Sequence, residues 1–460
     1  MASDTFAGVA SAIPGTPGTI DSTSDSTYTL RNSDIGKFMS LCVSTGTGSA
    51  CSQQCSSNDA VDVGDPHITT VDNLHYDFQS AGEFVALRGA NGMEIQTRQT
   101  AVSTAPPLAD SYTGLTSGVS VNTAVAARVG KHRVTYQPDT SSNAAGGTFV
   151  LRVDGVPTIL PVDGIDLGDG GRVISQAGGI QIDFPDQTTL MVNTSSWPFY
   201  GAWWLHINVF HTSAFEGIMG ARSKGSWLPR LPNGSALGAI PASLHVRYVE
   251  LYRKFADSWR VNKEITLFDY DKDTSTATFT NKEWPTENGP YDTGAGPVAK
   301  PLGLKAAQLA CRNVVGKNEK ADCVFDVRVM GNTDIAKGHV LNQKIRNGLT
   351  AIIVRDDRGI SRNKEMVTFT ATVVRHAANT RKEFTDKGER GVPAGNVQFT
   401  INGNSFGKPV KLDARGQARL QLPRLKVEEQ TLGARYIPVK GGLFFPSSSR
   451  QLMRELAPPR

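Results

Sequence analysis

Cysteine is scarce: 460 residues hold five, at Cys42, Cys51, Cys55, Cys311 and Cys323, with none between Cys55 and Cys311. A disulfide-dense scaffold is thereby excluded. Cys311 and Cys323 are near enough in sequence to close a small loop that stabilises by about 3 kcal/mol. Three cysteines remain near the N-terminus, an odd number, so at least one is free or pairs outside the chain. Long apolar runs are missing as well. Residues 199–210 form the nearest, shorter than the roughly 18 residues a membrane helix needs and interrupted by His206 and Asn208. The opening Met1-Ala2-Ser3-Asp4 has no basic segment leading into an apolar run, so no signal peptide is legible. An extracellular address would have been removed, lie outside this stretch or be read by another export route.

Charge of one sign is not concentrated. With 48 basic and 43 acidic residues the net charge is +5 and the signs are mixed, which excludes a nucleic-acid footprint. Arg375 to Arg435 is the more basic stretch, a minor candidate for touching an anionic polysaccharide or lipid headgroup. Signatures of catalysis are missing: no GxSxG elbow, HExxH, CxxC pair or phosphate-cradling glycine loop, and the eight histidines are scattered. His206 and His211, five apart, lack a third metal ligand and read as packing or surface residues.

What is abundant is punctuation. The 46 glycines and 24 prolines, set among many Ser and Thr, predict short strands between turns, and 39% hydrophobic content over this length predicts two to four mainly β domains. The densest window is Gly64 to Gly89. After Gly64-Asp65-Pro66, His67 to Val71 are β-formers; Asp72-Asn73 makes a tight turn; Tyr76 and Phe78 alternate on a returning strand; and Gly82 breaks the chain before Phe84 opens a third. An opening antiparallel meander is expected.

This window resembles the opening of the von Willebrand factor type D domain. The shared residues are Gly64-Asp65-Pro66-His67, Asp72, Tyr76-Asp77-Phe78-Gln79 and Gly82-Glu83-Phe84, with departures at Val71 and Asn73; Trp259 lies in a similar closing motif, Ser258-Trp259-Arg260-Val261. The resemblance implies a β-sandwich from about residue 59 to 284 and an extracellular setting. The scarcity of cysteine departs from the animal members and implies a bacterial type. The family completes a calcium site in an acidic loop, but here that loop reads Ala221-Arg222-Ser223-Lys224-Gly225-Ser226-Trp227-Leu228, leaving Asp72 as the one ligand-like carboxylate opposite two cations. No cofactor is expected. Some relatives cut themselves at the Asp-Pro bond of this motif, which would make Asp65, Pro66 and His67 a self-processing site; otherwise the three form a turn that starts the first strand.

Strands are expected from Met93 to Val102, Ala124 to Tyr136, Thr148 to Val153, Val173 to Phe184, Thr188 to Asn193 and Trp203 to Phe210, the last with Trp203, Leu205, Ile207 and Val209 on one face. Trp203 and Trp204 read as core, in a sandwich with one solvated side. Val246, Val249, Tyr252 and Phe255 recur every third residue, a drifting helical stripe. Asp269, Asp271 and Asp273 lack the Gly and Glu of an EF-hand and read as a solvated hairpin tip.

Residues 1–58 form a Ser/Thr/Gly-rich leader with the strands of a partial immunoglobulin-like module around Tyr28 to Val43. Residues 285–346 hold a Pro/Gly linker and a helical extension clamped by Cys311 and Cys323, in which Val324, Val327 and Val329 pack. Residues 347–449, through Gly395-Asn396-Val397-Gln398-Phe399 and Ala434-Arg435-Tyr436, resemble bacterial immunoglobulin-like repeats, and 450–460 read as a tail. The expectation is a multidomain, mainly β, non-catalytic extracellular protein of a bacterial surface, adhesin or fibre. It would bind other surface proteins, glycans or itself, with no nucleic acid and no membrane span. The alternatives are a self-processing module and a non-catalytic appendage of a larger secreted enzyme or appendage machine.

Overall fold

The computed structural model describes residues 5–11, 18–23, 38–45, 48–51, 58–138, 149–161, 164–176, 178–197, 202–294, 298–348, 350–356, 366–375, 392–401, 403–423, 430–439, 444, 446–449 and 452–454. The fold is mainly β. No helix among these residues is long and apolar enough to cross a membrane.

Two antiparallel sheets form the body. One has eight strands, running from Ile165–Gly168 through Gly171–Gln176, Gly179–Asp183, Thr189–Trp197, Ala202–Thr212, Asn58–Val63 and His67–Thr69 to His75–Asp77. The other has six, from Val156–Pro157 through Phe149–Val153, His132–Pro138, Val119–Val129 and Glu94–Val102 to Gly82–Arg88. Their facing surfaces share one core that includes Tyr76, Phe78, Phe84, Phe255 and Trp259. Phe78 sits edge-on to Phe84 and Phe255, with ring centroids 5.1 Å and 6.1 Å apart. The Tyr76 hydroxyl donates to the Ile218 carbonyl at 2.6 Å, so its one polar atom is satisfied inside the apolar layer.

Of the three strands expected after Gly64, only two lie in one sheet, where they continue a meander begun by Asn58–Val63. Asn73 makes the first turn in the left-handed region at φ 64°, but Gly82, at φ 145°, carries the chain across the sandwich, and Gly82–Arg88 pairs with Glu94–Val102 in the other sheet. Closure at Trp259 is a backbone event: Val85 N–H donates to the Trp259 carbonyl and Val261 N–H to that of Glu83.

The expected helix runs through Leu244–Tyr248, a wider turn at Val249–Phe255, and Ala256–Ser258. Tyr252 and Phe255 are buried, whereas Val246 and Val249 are exposed. Three residues fall about 60° short of a full turn in an α-helix and further short in a wider one, so a three-residue repeat cannot hold one face.

Strand Ala202–Thr212 is buried on both faces, not one. Leu205, Ile207 and Val209 join the sandwich core, while Trp204 packs under the helices Leu304–Ala310, Lys317–Val329 and Ile335–Asn347 with Val102, Val119, Val121, Val327 and Val329; Trp203 stays 38% exposed. Val324 is only half-buried. Cys311 and Cys323 are bonded at the centre of this second cluster. Closing that loop should be worth about 3 kcal/mol, so the Cys311→Ser/Cys323→Ser double variant should unfold at correspondingly lower urea concentration. An unchanged midpoint would mean that apolar packing alone holds the helices.

The Pro/Gly segment before these helices is strapped to the sandwich rather than spanning free. Ser103 Oγ donates to Asp292 Oδ1 at 2.8 Å, and Thr104 N–H to the Tyr291 carbonyl at 3.1 Å. Of the three acids expected at a solvated tip, Asp271 and Asp273 are exposed at a turn, whereas Asp269 is drawn in, pairing with Arg133 at 2.6 Å and accepting from Thr135 at 2.6 Å.

Beyond the helices, strands Thr350–Asp356, Met366–Arg375 and Gln417–Pro423 form one sheet. Asn404–Lys411, Gly395–Ile401, Gln430–Pro438 and Ser447–Ser448 form the other, and the two enclose a core around Phe369, Val397, Phe399 and Tyr436. The tail contributes as well, because Leu452–Arg454 pairs with Gln430–Pro438. At the N-terminus, Thr5–Ser11, Gly18–Thr23, Phe38–Thr45 and Gly48–Cys51 form a four-stranded sheet. Tyr28 to Lys37 and Cys55 lie outside the described residues.

Candidate functional site

The Gly64-Asp65-Pro66 turn and the strand after it face the helical extension. Their meeting place is a buried set of carboxylates and imidazoles. The turn needs Gly64, whose φ is +76°, and a Cβ there would lie 2.0 Å from Asp326 Oδ2. His67 is the hub, 3% exposed. Its Nδ1 lies 2.6 Å from Asp77 Oδ1, on the neighbouring strand. Its Nε2 lies 2.8 Å from Asp65 Oδ1 and 3.0 Å from Asp326 Oδ1.

Asp326 comes from the Lys317–Val329 helix and bridges onward, its Oδ2 lying 2.7 Å from His339 Nε2 on the next helix. One turn earlier Asp322, on the same helical face, receives His75 Nε2 at 3.0 Å. Gln79 Nε2 donates to Asp65 Oδ1 at 3.1 Å. Asp65 Oδ2 is fully buried without a hydrogen-bond partner.

The electrostatics follow from this crowding. Burial pulls the His67 imidazolium down, but the carboxylates of Asp65, Asp77, Asp322 and Asp326 together outweigh it and hold its pKa well above the ordinary value. Burial pushes the Asp65 carboxyl well up, reinforced by the Asp326 charge, against the pull of His67. Asp326 is held below the usual carboxylate range: burial opposes this, but contacts with His67 and His339 prevail. His75 is raised because the Asp322 contact outweighs its burial. Nearby Asp62 is pushed up to about 7 by burial, against Asn122 and His67.

His206, expected to pack or face solvent, extends the cluster and is 1% exposed. Its Nδ1 accepts the Gly64 N–H at 3.1 Å and its Nε2 lies 3.0 Å from Ser195 Oγ. Nε2 is also approached at 3.4 Å by the Trp204 indole N–H; an amide and an indole can only donate, so both ring nitrogens face donors, and neutral His206 has a lone pair for one of them. Burial, aided by His339, lowers His206 to about 3.

The sign of that shift makes a prediction. Below pH 6.5 the unfolded His206 takes up a proton that the folded one refuses until about pH 3. It therefore removes stability as pH falls, by about 1.4 kcal/mol per unit. Asp62, raised, works in the other direction over part of this range, so the difference between wild type and His206→Asn is the quantity to measure. Urea midpoints should show the wild-type advantage shrinking by about 2 kcal/mol between pH 6.5 and pH 5. A constant difference would show that His206 carries a proton in the fold.

Of the residues expected from sequence, Asp65, Pro66 and His67 do form the turn and first strand, and Asp77 joins them. Asp72 stands apart, accepting from Arg222 Nε at 2.8 Å and from the Arg222 N–H at 3.2 Å, so the one ligand-like carboxylate opposite the Ala221–Leu228 loop is taken by a guanidinium. His211 does not pair with His206; its own N–H reaches Asp59 at 3.4 Å. Sequence reasoning passed over Asp322, Asp326 and His339. Their signal was two acids four apart inside a helix whose apolar residues alone were read as packing. No protein-family model matches the chain, and no curated protein does.

Proposed function

We propose that the protein is a non-catalytic binding or structural component of an extracellular assembly of bacterial type, working through its exposed sheet surfaces and loops. The observation that carries this reading is the burial of the carboxylate and imidazole cluster around His67. Asp65 and Asp326 are 0% exposed and His67 3%, and their contacts run to one another and to Asp77, Gln79 and His339, so no side of the cluster faces solvent or a substrate. Mixed surface charge favours protein or glycan partners over nucleic acid. The test is binding of labelled protein to bacterial cell surfaces and isolated wall glycans, together with sedimentation analysis for self-association. Saturable binding or assembly supports the reading. Turnover of ester or peptide substrates that disappears in Ser195→Ala overturns it.

A second reading, self-processing at Asp65-Pro66, is favoured by the 2.8 Å approach of His67 Nε2 to the Asp65 carboxylate. In that chemistry the carboxylate attacks its own carbonyl carbon and the bond to the proline nitrogen breaks. His67 gives that nitrogen a proton, and water opens the resulting anhydride. Asn58–Val63 is paired on both sides, with Ala202–Thr212 and His67–Thr69, so the two pieces would stay together in solution. Intact mass under denaturing conditions after mild acid exposure decides: an uncut 49.4 kDa chain removes this reading, and a split at Asp65-Pro66 that Asp65→Ala abolishes establishes it.

A further inference from the structure

The geometry points to a buried binding site for a divalent transition-metal ion, zinc foremost, formed by Asp65, His67 and Asp326. One donor from each residue, the two carboxylate oxygens and Nε2 of His67, lies within 4.8 Å of the others. The three come from two places far apart in the chain, the turn that opens the sandwich and the middle of the Lys317–Val329 helix. An ion there would fasten the helical extension to the sheet.

Proton counting favours a cation. His67 Nε2 carries at most one hydrogen, yet oxygens of two carboxylates lie within hydrogen-bond distance of it, at 2.8 Å and 3.0 Å. One N–H cannot serve both at full strength. Asp65 Oδ2 adds an independent sign, a carboxylate oxygen sealed from solvent with nothing to accept from. Buried polar atoms without partners are rare and costly. A doubly charged ion between Nε2 and the two carboxylates would neutralise both acids and give that oxygen a role as a further donor.

The surroundings are those of a supported ligand set. His67 directs its other nitrogen at Asp77 Oδ1, 2.6 Å away, the arrangement that fixes a ligating imidazole's tautomer and orientation. Asp326 is held through its second oxygen by His339 at 2.7 Å, and Asp65 by Gln79 at 3.1 Å. An imidazole nitrogen with two carboxylates suits zinc and its first-row neighbours, whereas calcium asks for six to eight oxygens. The absence of an exposed face makes the role structural.

The experiment uses the full chain with Cys42, Cys51 and Cys55 changed to Ser, so that thiols cannot supply a competing site. Protein stripped with a chelator is titrated with zinc against a competing indicator and, separately, with cobalt, followed by its visible absorption. The expected result is about one ion per chain, a rise in melting temperature with zinc that calcium does not reproduce, and cobalt bands of low-symmetry nitrogen and oxygen ligation. Asp65→Asn removes a ligand while leaving the His67–Asp326 contact, and should weaken zinc at least about 100-fold; His339→Gln, which touches only the supporting shell, should weaken it about 10- to 100-fold. Circular dichroism confirms that both variants are folded. Failure of the folded wild-type chain to retain zinc, or undiminished affinity in Asp65→Asn, overturns the assignment.

Discussion

Replacing Asp326 by alanine should lower the stability of the metal-free protein by about 3–5 kcal/mol, the range for removing one partner from a buried charge network. The carboxylate is 0% exposed and serves two imidazoles at once, His67 at 3.0 Å and His339 at 2.7 Å. Alanine strips both of that partner and leaves a cavity that the disulfide-clamped helices cannot easily fill. Because Asp326 lies 259 positions from His67, the damage should be directional: the helical segment 304–347 should become sensitive to protease before the sandwich does. Guanidinium unfolding gives the magnitude and limited proteolysis the location. A loss under 1 kcal/mol would show that Trp204, Val327 and their apolar neighbours hold the helices unaided.

Gly64→Ala should cost a comparable amount, about 3–4 kcal/mol, for two separable reasons. A left-handed φ of +76° strains an L-residue by about 1–2 kcal/mol. The new methyl would also lie 2.0 Å from Asp326 Oδ2, an atom already held by His339 and not free to swing away. The steric part should vanish where the carboxylate is absent. In a double-mutant cycle, Gly64→Ala combined with Asp326→Ala should therefore lose less than the sum of the two single changes, by about 1–3 kcal/mol. Strict additivity would mean that the turn and the helix are not in contact.

Much of the fold could be read in advance because its signals are local. Alternation along Glu94–Val102 and Ala202–Thr212, the polar turn at Asp72-Asn73 and the apolar clustering of Tyr76, Phe78 and Phe84 each depend on residues a few positions apart. The errors arose where a distant element intervened. Ala202–Thr212 was expected to have a wet face, and helices from a hundred residues later cover it. Residues 285–301 look like a linker by composition, yet Tyr291, Asp292 and Thr293 bond to Ser103 and Thr104 of the sandwich. Gly82 was correctly expected to break the chain, but a break does not say which sheet the next strand joins.

The candidate site divides in the same way. Asp65, His67 and Asp77 stand out in one short motif, and Asp72 could be matched with Arg222 from charge alone. That Asp326 and His339 complete the cluster, and that His206 is held between the Gly64 amide, Ser195 and the Trp204 indole, is nowhere in the linear text.

From its sequence alone this protein was bound to be β-rich, turn-punctuated and short of disulfides, since strand period, turn chemistry and cysteine number are properties of neighbours along the chain. Only the tertiary structure decided that two acids and two histidines from opposite ends of the first 350 residues are sealed together. Burial and pairing are set by what packs across space, and the strength of a charge contact depends on the water that packing removes.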